Sequence, residues 1–350
     1  MPINKPEITG FISKEKKYYM VFALLIILPI VAIFYSLFIG RYPLSFLDIL
    51  KVLRFGINHQ SNQDYPDIFN TIVLQIRLPR AILGAMVGGS LAISGAAFQG
   101  LFRNPLVSSG ILGVSSGASF GAALAIILYG QNYMVYFFAF GFALLAVSMS
   151  FFIGRIYRST PAIMLVLGGV VVSSIFSALV SFAKFIADPY EKLPSITFWL
   201  MGSIANARYR DIFISFVPIA VGITGLIAIR WQINVLSMGD KEARALGVNH
   251  ILVKIITVLC ATLATAGAVS VSGNIGWVGL IMPHIGRMLI GNDNRILIPA
   301  SLSLGAVFMI FVDNLSRSLI GAEIPLGILT ALIGGPFFIY LLKRTKGKGW

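Results

Sequence analysis

The stretch AAFQGLFRNPLVSSG, residues 96–110, decides the fold because it places Gln99, Arg103 and Asn104 between two long runs of apolar residues. About 20 consecutive apolar residues are enough for a helix to cross the hydrocarbon core of a membrane. The runs at 78–102 and 107–129 meet this requirement, and Pro105 cannot continue a helix. The stretch therefore predicts a tight polar turn between two membrane-spanning helices.

Similar apolar runs recur along the whole chain. The 350 residues are 57% hydrophobic and 11% charged, whereas soluble domains carry about 25% charged residues. The predicted spans are 18–39, 78–102, 107–129, 134–156, 162–187, 211–230, 251–272, 276–290, 296–320 and 324–343. The composition thus predicts an all-α, polytopic membrane protein with about ten transmembrane helices, in which residues 1–350 form a single transmembrane domain.

The basic residues lie mainly between the predicted spans. A net charge of +14 would suggest nucleic-acid binding in a soluble protein. Here, placing both termini on one side puts the larger part of the 27 lysine and arginine residues there, including Arg103, Arg155 and Arg158. Because positively charged loops stay on the cytoplasmic side, we expect cytoplasmic termini, a multi-pass protein of the cell membrane and no nucleic-acid partner.

Two segments of the chain share a pattern of small residues. SLAISGAA (90–97) and TLATAGAV (262–269) lie in the second and seventh predicted spans, which cross the membrane in opposite directions. This arrangement is typical of an inverted repeat, with possible halves at 78–187 and 251–343. Chance similarity between two glycine-rich helices is the alternative.

Enzyme and carrier signatures are missing from the sequence. The 13 acidic residues fall almost entirely outside the predicted midplane, and neither HExxH, GxxxxGK[ST] nor a Cys/His cluster occurs. These patterns predict no catalytic, cofactor or metal site, and they argue against a membrane enzyme and against a self-powered secondary carrier. Uphill transport would require another chain that binds the nucleotide.

Five motifs, in order along the chain, resemble those of one transporter family. They are RLPRAILGAMVGGSLAISGAAFQGLFRNPLVSSGILGVSSGA (77–118), FWLMGS (198–203), MGDKEARALGV (238–248), GNIGWVGLIMPHIGRMLIG (273–291) and EIPLGILTALIGGPFFIYLLKR (323–344). The chain resembles the FecCD family of ABC importer permeases, which includes permeases for vitamin B12, iron-siderophores and haem.

The resemblance implies a type II ABC importer permease. It also implies a second permease copy or paralogue, two cytoplasmic ABC ATPase subunits and an extracytoplasmic substrate-binding protein. Iron(III)-siderophore is the leading substrate class that it implies, with haem and cobalamin as alternatives. A secondary carrier is the alternative from another functional class.

The segment GDKEARALG, 239–247, mixes charged and small apolar residues in a loop predicted to be cytoplasmic. Such a segment predicts a short amphipathic helix that can bind a groove of a partner, and Gly247 is placed to cap its C-terminus. The resemblance implies that it couples the permease to the ATPase. The predicted coupling residues are Gly239, Asp240, Lys241, Glu242, Ala243, Arg244, Ala245, Leu246 and Gly247. An unpartnered surface helix is the alternative.

Three arginines are predicted at outer helix ends, against the charge rule. Guanidinium groups favour bidentate pairing with carboxylates, and the resemblance implies that Arg77, Arg80 and Arg317 meet acidic residues of the binding protein. The alternatives are lipid headgroups or pairing within the chain, with Asp313 or Asp67.

The turn itself is the last candidate site. The resemblance implies that Asn104, Pro105 and Leu106 belong to a cytoplasmic gate. A simple connecting turn is the alternative.

Overall fold

The computed structural model describes residues 23–55, 67–154 and 162–344, and these fold into helices joined by short loops. The helices are α1 (Ala23–Ser36), α2 (Phe46–Phe55), α3 (Asp67–Asn70), a π-helical segment (Thr71–Arg77), α4 (Leu78–Phe102), α5 (Val114–Tyr129), α6 (Met134–Gly154), α7 (Ala162–Ile186), α8 (Lys192–Met201), α9 (Tyr209–Ala228), α10 (Arg230–Leu236), α11 (Asp240–Ala245), α12 (His250–Ser272), α13 (Val278–Ile290), α14 (Asn294–Ser318) and α15 (Leu326–Arg344).

The apolar helices confirm the all-α membrane fold. Over the described residues, six helices are long and apolar enough to cross a membrane, and α1, α5, α13 and α15 are shorter apolar helices. Each predicted span coincides with one of these ten helices, but the number of crossings stays a prediction because four of them are short. The start of the first span and the loop containing Arg155 and Arg158 lie outside the described residues.

Helix α4 forms the centre of the bundle. It is almost entirely buried and packs against α14, α12, α13 and α9. Gly88 of α4 lies against Gly305 of α14, and a Cβ built on either glycine would overlap the backbone carbonyl oxygen of the other. Close backbone contact of this kind stabilises helix pairs in lipid, where no hydrophobic effect drives their association.

Two of the predicted spans are partly non-helical. Helix α13 has 13 residues and is therefore about 20 Å long, which is shorter than the hydrocarbon core. It follows the non-helical segment 273–277, and α5 follows the turns and bends of 103–113. Both long helices α4 and α12 are thus followed by an irregular segment and a shorter helix. The inverted repeat that this order resembles stays a prediction.

The bundle has two polar ends, which we call the α8 end and the α11 end. At the α8 end, the Lys192 ammonium donates to the Ile127 carbonyl over 2.7 Å, and the backbone amide of Ser203 donates to the Ser272 carbonyl over 2.8 Å. At the α11 end, the backbone amide of Asn294 donates to the Asn234 side-chain oxygen over 2.9 Å.

The sides of the bundle expose large apolar residues. Phe185 of α7, Phe213 of α9 and Leu332 of α15 are among the most exposed. Continuous exposed apolar surface on long helices is what a lipid environment stabilises. The chain is a multi-pass membrane protein.

Candidate functional site

Helix α11 is short and is held against the bundle by one ion pair. Lys254 of α12 reaches Asp240 at the start of α11, with Nζ 2.7 Å from Oδ2. At the other end of the helix, the Arg244 guanidinium lies against the His250 ring, with Nε 3.3 Å from Nδ1. Two side-chain contacts therefore fix α11 to the first turn of α12.

The C-terminus of α11 is closed by a Schellman motif. Gly247 has φ of +74°, its amide donates to the Arg244 carbonyl over 3.0 Å, and the amide of Val248 donates to the Ala243 carbonyl over 2.8 Å. The two hydrogen bonds define this motif, and the Ala243 and Val248 side chains at its two ends are both buried. The predicted capping position of Gly247 is confirmed.

The outward surface of α11 is both charged and apolar. Lys241, Glu242 and Arg244 are exposed, and Leu246 and Met238 expose 56% and 63% of their area. Some of the apolar residues of this segment face inward, because Ala243 and Val248 are buried. The surface left for a partner therefore consists of three charges with Leu246, Met238 and the small exposed side chain of Ala245. Of the other predicted residues, Gly239 is buried and Asp240 is half-buried.

The turn after α4 starts with a left-handed residue. Arg103 has φ of +52°, a conformation that ends the helix before Pro105. The Asn104 side-chain oxygen accepts the Leu106 amide over 2.9 Å, which is the hydrogen bond of an Asx turn. Asn104 and Leu106 are exposed at the α11 end. The three predicted gate residues thus form one turn at the surface.

Gln99 links this turn to two helices. Its buried amide donates from Nε2 to the Val107 carbonyl over 3.0 Å and to the Leu280 carbonyl of α13 over 3.4 Å. Its Oε1 accepts a hydrogen bond from Nη2 of Arg287, also on α13. Nη1 of Arg287 is buried with no hydrogen-bond partner among the described residues. The sequence indicated Gln99 as a polar interruption but gave no signal for Arg287.

The turn between α13 and α14 also carries a charge at the α11 end. The Asp293 carboxylate accepts the Arg295 backbone amide over 2.9 Å and pairs with the Arg295 guanidinium at 2.6 Å. These interactions, led by the side-chain hydrogen bond from Arg295, lower the pKa of Asp293 against a smaller opposing effect of burial. Asp293 therefore caps α14 in its charged form.

The arginines at the α8 end are buried and paired within the chain. Arg80 is 4% exposed, with Nε 2.8 Å from Oδ1 of Asp313 and Nη1 2.9 Å from Oε1 of Glu323. Arg317 lies one turn beyond Asp313, with Nε 3.6 Å from Oδ2. The structure therefore shows the pairing with Asp313 that was one alternative reading of the sequence.

Arg77 and Arg317 also hold the C-terminal end of α1. Arg77 donates to the Leu37 carbonyl over 2.7 Å and to the Tyr42 carbonyl over 2.5 Å. Arg317 donates to the Ser36 carbonyl over 3.0 Å and to the side-chain oxygen of Asn314. The three arginines thus tie α1, α4 and α14 together. Their contact with a binding protein stays a prediction.

Comparisons with known proteins agree with one family. The model of the FecCD transport family matches residues 26–344. The molybdate import system permease protein MolB of Haemophilus influenzae is 42% identical over 93% of this chain and 96% of its own length. The protein named "Probable iron chelatin transport system permease protein" of Helicobacter pylori is 38% identical over 95% of this chain and 99% of its own length.

A solved structure has the same fold. It is described as an inward-facing conformation of a metal-chelate type ABC transporter, and it matches with a TM-score of 0.81 and 40% sequence identity. The match covers 93% of this chain and 99% of the solved chain.

Proposed function

This chain belongs to the FecCD transport family and is a permease of the ABC importer class; on that premise we propose how it is powered, how it is gated and what it carries. A separate ATPase chain drives it. The exposed charged and apolar surface of α11 carries this proposal. A short capped helix with Glu242, Arg244 and Leu246 on its outer side can bind in a groove of a partner.

The coupling helix acts through its connection to α12. The ion pair between Asp240 and Lys254 and the contact between Arg244 and His250 transmit a displacement of α11 to the first turn of α12. Two ATPase subunits bind two permease copies, or one copy and a paralogue, in this arrangement. The α11 end and both termini then lie in the cytoplasm, and the protein resides in the cytoplasmic membrane.

The turn Asn104, Pro105 and Leu106 closes the cytoplasmic mouth of the path. The hydrogen bonds of Gln99 with the Val107 carbonyl and with α13 support this role, because they couple the turn to a short helix. A shift of α13 would carry the turn with it. The gate therefore consists of the exposed turn and the buried glutamine behind it.

A substrate-binding protein docks at the α8 end, on the extracytoplasmic side. A direct contact with Arg77, Arg80 and Arg317 requires these side chains to exchange the partners that they have within the chain. The arginine cluster supports docking in a second way, because it fixes the shape of this end. In both roles, the substrate-binding protein delivers the substrate at the end of the bundle opposite to α11.

The substrate is a metal species, with iron(III)-siderophore as the first candidate. The iron chelatin permease and the metal-chelate type transporter support this class. Molybdate is the second candidate because its permease is 42% identical over nearly the full chain. Haem and cobalamin remain alternatives within the family. Competition uptake in a deletion strain, with labelled ferric siderophore, molybdate, haem and cobalamin, distinguishes the four.

Charge reversal on α11 tests the coupling. The double variant Glu242→Lys with Arg244→Glu is expected to fold, because both side chains are exposed. In liposomes with the ATPase and binding protein, it should hydrolyse ATP without importing substrate. Lys343→Glu, an exposed charge reversal on α15, is the matched control and should transport normally. Unchanged uptake in the double variant, or accumulation by the permease without an ATPase, would refute the proposal.

A further inference from the structure

An apolar groove runs along the side of the bundle between α6, α9 and α12. It has a volume of about 410 Å³ and is lined by Phe137 and Phe140 on one wall, Val217 and Val221 on the other and Leu263 at its base. Phe137, Val217 and Val221 are among the exposed apolar residues. The groove is therefore open to the surroundings of the bundle along its length.

The groove begins at the α8 end and runs toward the middle of α9 and α12. Ser270, near the C-terminus of α12, lines its upper part, and Leu263 lies seven residues earlier on the same helix. At 1.5 Å per residue, the groove spans about 10 Å along the bundle axis. It thus occupies the depth of the acyl chains in one leaflet.

A cation lies at the mouth of the groove. Arg210 precedes the lining residue Ile214 by four positions on α9, so both lie on one face of the helix. The exposed Arg210 guanidinium lies over the Tyr133 ring, 5.3 Å from its centroid. Tyr133 in turn precedes Phe137 of the other wall by four positions. The Arg210 guanidinium and the Tyr133 ring therefore lie on the same helix faces as the two walls of the groove.

The nearby carboxylate is already engaged inside the bundle. Asp211 is buried, accepts the Tyr136 hydroxyl over 2.9 Å and accepts the Arg208 backbone amide over 2.9 Å. Its two hydrogen bonds hold it on the inner side of α9. The surface at the mouth therefore presents two exposed guanidinium groups, those of Arg208 and Arg210.

We propose that this groove binds an anionic phospholipid, with one acyl chain along α6 and α9 and the phosphate at Arg210. An apolar groove at this depth offers water few polar partners but fits a hydrocarbon chain. A guanidinium binds phosphate in a bidentate manner. In the proposed orientation, Arg208 and Arg210 lie outside the cell against the positive-inside rule, and an anionic headgroup compensates for this placement. The choice of leaflet and this charge compensation rest on the proposed orientation, whereas the groove and the guanidinium of Arg210 do not.

Photolabelling of the full-length chain in nanodiscs tests the site. The probes are phosphatidylglycerol and phosphatidylcholine with the same diazirine-bearing acyl chain, and mass spectrometry locates the labelled residues. We expect about fivefold more labelling of the α6 and α9 groove residues by phosphatidylglycerol, which is the effect of one basic residue at an anionic headgroup. Arg210→Gln should abolish this preference and keep the labelling by phosphatidylcholine.

Two tryptophan variants separate groove binding from general lipid contact. Val217→Trp fills the groove and should remove labelling there by both probes. Val171→Trp, at a valine of α7 that is also at least half exposed, should leave it unchanged. Equal labelling by the two lipids in the parent protein would overturn the proposal, as would unchanged labelling of Val217→Trp. Cross-linking of position 217 to a second copy of the chain would also overturn it, by showing that protein covers the groove.

Discussion

Neutralising Asp313 is expected to destabilise the protein more than any exposed charge change. Its carboxylate lies 2.8 Å from Arg80 and 3.6 Å from Arg317, with all three side chains at most 7% exposed. At an effective dielectric constant of about 20, the closer pair alone corresponds to about 6 kcal/mol of Coulomb attraction. Desolvation offsets part of this, so Asp313→Asn should lower the free energy of unfolding by about 3–5 kcal/mol.

A double-mutant cycle isolates the interaction between Arg80 and Asp313. Arg80→Gln alone should also cost about 3 kcal/mol or more, because a buried carboxylate loses its nearest cation. The double variant removes both charges of the pair, so neither Arg80 nor Asp313 is left as a charge without its partner. It should therefore cost well below the sum of the single changes, with a coupling energy of about 2–3 kcal/mol.

Equilibrium unfolding in mixed micelles measures the four proteins of the cycle. Arg41→Gln is the control, because Arg41 is exposed and donates one long hydrogen bond of 3.4 Å to the Ile320 carbonyl. It should leave stability unchanged. Costs that add within about 0.5 kcal/mol would refute the internal role of Arg80. The affinity of the double variant for the substrate-binding protein then tests direct docking. If Arg80 contacts that protein, this affinity should fall even though the double variant is more stable than the single changes predict.

Three further changes test other parts of the structure. Gln99→Leu should lower the free energy of unfolding by about 3 kcal/mol, because buried partners on α13 and in the turn lose their hydrogen bonds; unfolding in micelles measures this, and an effect below about 0.5 kcal/mol would contradict the contacts. Gly305→Ala should cost about 1–3 kcal/mol by overlap with the α4 backbone, whereas Gly141→Ala within α6, with open space around its Cβ, should be neutral or stabilising in the same assay. Asp293 has a lowered pKa, so its contribution to stability is present above about pH 4 and is lost as the pH falls through the folded-state pKa. Melting curves should show a larger acid-induced loss for the parent than for Asp293→Asn, and equal losses would contradict the capping role.

The sequence predicted the membrane helices well because lipid imposes one simple requirement on them. A run of about 20 apolar residues has to be helical to satisfy its backbone, so the long spans were placed within a few residues. The irregular segments that precede α5 and α13 could not be placed, because no periodic pattern records the contacts that hold them; the Val107 and Leu112 carbonyls, for example, accept from the side chains of Gln99 and Ser150. Helix α8 and the π-helical segment before α4 were also missed, because neither is an apolar run of spanning length.

The candidate sites also divide into features that local sequence patterns predict and features that depend on residues distant in the sequence. Helix α11 and the cap at Gly247 follow from local patterns, and the structure contains both. The sequence offered Asp313 only as one alternative partner and did not indicate Glu323, because these residues lie 233 and 243 positions away from Arg80. The charge rule marked Arg80 as unusual but could not distinguish an external partner from an internal one.

The meeting of Gly88 with Gly305 has a mechanical consequence. Where two backbones are in contact, no layer of side chains lies between them to adjust to a relative displacement. Helices α4 and α14 are therefore expected to move as one rigid body. Under the proposed gating, the movement is then expected at the irregular segments that precede α5 and α13. In such a permease, the pair of α4 and α14 stays rigid while the shorter helices change position relative to it.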